Sequence, residues 1–226
     1  MNDSVSLPGG RNARGTLDVA AATAVGATAD AAAAEACVVA CPPHPQHGGH
    51  RGDGRLRAVS DDLVAAGSDC FRFDYGPWDG GRGERADALH AVEWAGHRYE
   101  RVALFGYSFG AAVAVSAAAR GANVTAVAAL APPARVGSAR GDDAPDDVGG
   151  IDTVADFESL PTSLPVGVFS GSRDDVAAVG PVVDRARERG ATVREFDTGH
   201  AFVGRERDVA AAVVTFLRSE LQTEQS

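Results

Sequence analysis

Six short apolar runs set the frame for this chain: CVVAC (37–41), CFRF (70–73), VALFGY (102–107), VTAVAAL (124–130), PVGVF (165–169) and TVREF (192–196). Most lack polar alternation, as strands do when both faces of a parallel sheet are covered. The stretches between them read as helices. Residues 55–66 stop before Gly67, and 84–98 set Ala88, Val92, Ala95 and Tyr99 on one helical face. Residues 109–119 are nearly all small and apolar, which suits a helix pressed closely onto a sheet. Pro181 and Gly190 bracket another helix, and Val209, Val213, Phe216 and Leu217 stripe the last, 205–220. This alternation predicts an α/β fold with a mostly parallel central sheet and helices on both faces.

The first 36 residues differ. VSLPGGRNARGTLDV (5–19) reads as an antiparallel hairpin at the sheet edge, and an alanine-rich segment follows. Composition shows no break, so a single domain over 1–226 is expected, a length that one core can serve. The acidic RVGSARGDDAPDDVGG (135–150) reads as a solvated loop, forming with 151–160 at most a small lid.

Composition narrows the function. The formal net charge is −10 and no basic run exists, so nucleic acid is not an expected partner. All 21 basic residues are arginine, and Asp (21) outnumbers Glu (10). Adaptation to high salt and a GC-rich genome both account for this bias. MNDSVSLPGG carries no secretory pattern, and the alanine-rich segment is too weakly apolar to span a bilayer. The expected setting is cytoplasmic, with no membrane partner. Cys37, Cys41 and Cys70 are odd in number and lie in strand-like runs, so buried free thiols are expected.

One run ends in chemistry. GYSFG (106–110) places Ser108 between two glycines, directly after a strand and before a buried helix. A sharp strand–turn–helix junction strains the serine backbone, and glycines two residues away on each side remove the clashes. The hydroxyl then stands above the sheet at a helix N-terminus, where negative charge is favoured. Such a serine needs a base. His200, in DTGHAF after the run 192–196, is placed for it, whereas His90 and His97 fall inside a helix. An acid must orient the histidine. SGSRDD after the run 165–169 offers Asp174 first, with Asp175 as alternative and Asp197 a distant third. For the oxyanion hole, one donor is the Phe109 amide. The second comes from the loop after 37–41, where Pro42, Pro43 and Pro45 have no N–H; His44 is therefore preferred, with Gln46 in reserve.

Ser108, Asp174 and His200 all fall at carboxyl ends of expected strands. Together with CPPHPQHGG (41–49), FRFDY (71–75), AVEWA (91–95), GSRD (171–174) and GHAF (199–202), they give the chain from about 37 to 217 a specific likeness. It resembles small α/β-hydrolases of the dienelactone-hydrolase-like group, with an H-P-H-P-type oxyanion loop. That resemblance implies a Ser-His-Asp triad, an oxyanion hole, no metal or other cofactor, and hydrolysis of ester-like bonds in small molecules through an acyl-enzyme. Two departures matter. Pro42 stands where the first histidine of the pattern would be, and the nucleophile is serine where dienelactone hydrolases use cysteine, which favours ester over lactone chemistry.

Two other readings compete. Cys41, His44, His47 and His50 recur every three residues, a spacing compatible with a metal-binding tract. A hydrolase fold can also serve as a non-catalytic binding protein. Asp74 and Trp78 fall near the expected mouth of the site, but for these two, as for Glu84 and Trp94, a structural role is the preferred reading over substrate contact.

Overall fold

The computed structural model describes residues 4–20, 34–137 and 150–222. Among them the chain runs through β1 (Ser4–Ser6), β2 (Arg14–Asp18), β3 (Ala36–Cys41), α1 (Gly54–Ala65), β4 (Asp69–Asp74), α2 (Arg82–Gly96), β5 (Arg101–Tyr107) and α3 (Phe109–Ala119). It continues through β6 (Val127–Leu130), β7 (Arg135–Val136), β8 (Ile151–Asp152), α4 (Thr153–Ser159), β9 (Val166–Gly171), α5 (Gly180–Glu188), β10 (Thr192–Phe196) and α6 (Glu206–Gln222).

The unbroken apolar runs became central strands. β3, β6 and β9 are buried along their whole length, and β5 is buried after its first residue. Eight strands form one sheet in the order β1-β2-β4-β3-β5-β6-β9-β10. From β4 to β10 all neighbours are parallel, with Val39 opposite Leu104 and Phe105 opposite Ala128. β1 and β2 are the expected edge hairpin, and β2 joins β4 antiparallel.

Strand periodicity sorts β5 between two cores. Ala103, Phe105 and Tyr107 face a cluster with Leu56, Val59 and Leu63 of α1 and Val209, Val213 and Leu217 of α6. Val102 and Leu104 face the other, with Ala88 and Val92 of α2, the buried residues of α3, Phe157 of α4 and Val182 of α5. Both faces of the sheet are therefore covered. Cys37, Cys41 and Cys70 are free and buried, as expected.

The segment read as a loop or small lid divides. Residues 138–149 lie outside the described residues. Residues 151–159 are not a lid: β8 pairs with β7, and α4 sinks Phe157 into the core against α3 and α5. The sequence signal for this helix is an Asp152 N-cap, whose side chain accepts from the Ala155 amide at 3.1 Å.

Candidate active site

The junction of β5 and α3 forces Ser108 into a strained conformation, φ 56° and ψ −122°. Two glycines are required there for steric reasons. A Cβ on Gly106 would lie 2.1 Å from the Gly110 carbonyl oxygen, and one on Gly110 would lie 2.1 Å from that of Cys41. The Ser108 amide donates to Leu130 O at 2.8 Å, which ties the turn to β6. The half-exposed serine then sits at the N-terminus of α3, where the first helical amides have no carbonyl partner in the helix.

The loops after β9 and β10 bring the other two groups to this turn. The Ser108 hydroxyl donates to His200 Nε2 across 2.9 Å, and His200 Nδ1–H donates to Asp174 Oδ2 across 2.7 Å. The Asp174 side chain is 0% exposed, and its second oxygen accepts from the Val176 and Ala177 amides at 3.0 and 2.9 Å. Those donors fix the direction of the carboxylate. The two loops are also laced together. The Ser172 amide donates to Phe196 O and the Arg173 amide to Thr198 O, at 2.8 and 3.0 Å. Asp175 is exposed, and Asp197 is 84% exposed and paired with Arg173 at 2.9 Å. Of the three carboxylates considered from sequence, only Asp174 meets the imidazole.

On the other side of the serine, the loop after β3 crosses the start of α3. The His44 ring stacks on His47 at 4.4 Å and lies against Trp78 and Phe109 at 4.5 and 4.9 Å. The His44 carbonyl accepts from the His47 and Gly49 amides, both at 3.0 Å. The Gln46 amide is taken up by His44 Nδ1 at 3.3 Å, whereas the amide of His44 has no partner among the described residues. Burial, helped by neighbouring His47, lowers the pKa of His44, so Nδ1 stays available as an acceptor.

The metal reading of 41–50 does not fit. Cys41 points into the core, where burial pushes its thiol far up, while His47 and His50 are exposed on the loop. Among the described residues no group of three or more His, Cys, Asp or Glu side chains is placed to hold a metal ion. Asp74 is held by the Arg51 amide and guanidinium, Glu84 accepts from the Asp79 and Gly81 amides, and Trp94 stacks on Phe71. Trp78 alone of these four touches the site. A cavity of about 800 Å³ lies at the amino end of β5, lined by Tyr99, Arg101 and Thr125 among others, away from Ser108.

Sequence reading missed Tyr107 and Arg55. The Tyr107 hydroxyl donates to the His200 carbonyl at 3.1 Å, and the Arg55 guanidinium lies 4.5 Å over its ring. No local pattern announces either contact.

A doubly wound, mostly parallel sheet with a strained serine turn after β5, and with the Asp174 and His200 loops after β9 and β10, is an α/β-hydrolase fold. Solved structures agree. An α/β serine hydrolase without a lid from Xanthomonas campestris superposes with a TM-score of 0.74 at 23% identity, covering 99% of this chain and 96% of that one. Est1E from Butyrivibrio proteoclasticus gives 0.75 at 14% identity, covering 98% and 99%. An esterase from Pyrococcus furiosus gives 0.72 at 16%, covering 98% and 90%. At these identities the likeness is one of fold. No family model matches the chain, and no curated protein matches it in sequence. Among the described residues, no helix is long and apolar enough to cross a membrane.

Proposed function

We propose that this chain is a serine hydrolase of small-molecule carboxylic esters, working through Ser108, His200 and Asp174. The observation that carries the reading is the unbroken chain from Ser108 Oγ through the imidazole to Asp174, at 2.9 and 2.7 Å. His200 accepts the serine proton as Oγ attacks the ester carbonyl. Asp174 holds the tautomer that leaves Nε2 free and stabilises the imidazolium that forms. The amides of Phe109 and His44 receive the oxyanion. That assignment is supported by the position of Phe109 at the first turn of α3, the His44 amide, which has no partner among the described residues, and the occupied Gln46 amide. His200 then protonates the leaving alcohol and activates water, which releases the acid and regenerates Ser108.

Ester chemistry is further supported by the fold neighbours described as serine hydrolases and esterases. The CPPHPQHGG loop supports a dienelactone-hydrolase-like reading, and the serine nucleophile supports ester over lactone substrates. A fluorophosphonate probe should label wild type and not Ser108→Ala, and a panel of chromogenic esters of graded chain length should be turned over by wild type alone. An unlabelled, inactive wild type with normal folding would leave a non-catalytic binding protein on the same fold.

A further inference from the structure

Beyond the triad, we propose that Tyr107 is the positioning residue for His200 and that Arg55 holds Tyr107 in place; the catalytic consequence rests on the hydrolase reading above. His200 sits in a run of turns, not in a helix or strand. The Phe202 amide donates to Gly199 O at 3.2 Å and the Arg205 amide to Phe202 O at 2.9 Å, while Phe202 itself has a positive φ of 55°. The Arg173 amide holds this loop at Thr198 and the buried Phe202 anchors its far side, which leaves the His200 backbone between those two points. The Tyr107 hydroxyl fixes that backbone at the base residue's own carbonyl, 3.1 Å away. Tyr107 ends β5 and immediately precedes Ser108, so the strand that leads into the nucleophile also pins the base.

The phenol is itself clamped. Its ring is buried, with Phe202 edge-on at 6.4 Å and the His200 ring at 5.4 Å. The Arg55 guanidinium covers the ring at 4.5 Å, a cation–π contact. Arg55 is in turn gripped by Asp53, through Nε at 2.9 Å and a second contact at Nη2. Asp53 is the N-cap of α1 and accepts the Arg55 amide at 2.8 Å. The path runs from a helix end through a planar cation and a phenol to the imidazole. A phenylalanine at 107 would fill the same core volume, so the hydroxyl is the part that packing does not require.

Tyr107→Phe should keep the thermal midpoint close to wild type and KM for a chromogenic ester within about twofold. It should lower kcat, and the rate of fluorophosphonate labelling, by about tenfold to a hundredfold, the loss expected from a small misplacement of a reacting group. Arg55→Met, which keeps the stem and removes the planar cation, should lower kcat by a smaller factor in the same direction. The imidazole Nδ1–H proton in the His200–Asp174 hydrogen bond gives a reading independent of turnover. Its downfield NMR signal should be sharp in wild type and broadened or shifted in Tyr107→Phe. An unchanged signal overturns the proposal, even if wild type hydrolyses no ester tested. An inactive wild type whose signal does respond to Tyr107→Phe overturns the hydrolase reading and leaves the positioning of His200 standing.

Discussion

At the residue scale, the site separates groups that adjacent sequence does not. Asp174 and Asp175 follow β9, and Asp197 lies just before His200 in the sequence, yet of the three only Asp174 reaches His200. Asp174→Asn should therefore lower kcat by about three to four orders of magnitude, while Asp175→Asn and Asp197→Asn stay within about twofold of wild type in the same ester assay. His44 supplies a pH test. Its pKa is depressed, first by burial and second by His47, so the folded protein binds this proton less readily than the unfolded chain. The stability tied to neutral His44 is present above the ordinary value of 6.5 and is lost as pH falls through the lower, folded value. Denaturant midpoints measured downward from pH 7 should fall less steeply in His44→Asn than in wild type. Ser108 and His200 were legible because the glycine spacing and strand-end positions are local. Tyr107 was not, because its partner His200 lies 93 residues away.

At the element scale, the edge hairpin does more than end the sheet. Arg11, in the turn between β1 and β2, donates to Asp87 Oδ1 at 3.0 Å and to Pro77 O at 2.6 Å, and lies 3.9 Å from Glu84. Glu84 and Asp87 also receive the amides of Gly76, Asp79 and Gly81, so this knot fixes the loop that presents Trp78 to His44. Both carboxylate side chains are 0% exposed. Arg11→Met should therefore cost about 3 kcal/mol in chemical denaturation at neutral pH. Burial holds the Asp87 pKa above its ordinary value, against the pull of the Gly76 amide and Arg11. The folded state thus takes up the proton first as pH falls, so the Arg11→Met deficit should shrink on acidification toward about pH 4. The helices and central strands were legible because their apolar patterns carry a period. α4 was missed because a seven-residue helix has too few turns to show one.

For the whole molecule, charge and topology act separately. A net charge of −10 produces self-repulsion that salt screens, so the thermal midpoint should rise as sodium chloride increases from low concentration to about 1 M. A midpoint that falls over that range would show that surface ion pairs, such as Arg135–Asp152 and Arg185–Glu158, outweigh the repulsion. The sequence by itself determined the α/β alternation, the edge hairpin, the buried thiols and the serine turn, because each is written in nearest-neighbour sterics or in the period of burial. It narrowed the acid to a short choice and the second amide to one loop. Tertiary structure alone decided which carboxylate meets the imidazole, that Cys41 faces the core, that α4 is packed down, and that Tyr107 holds the histidine loop. Those outcomes depend on how the sheet stacks its strands, which sets the distances between segments far apart in the chain.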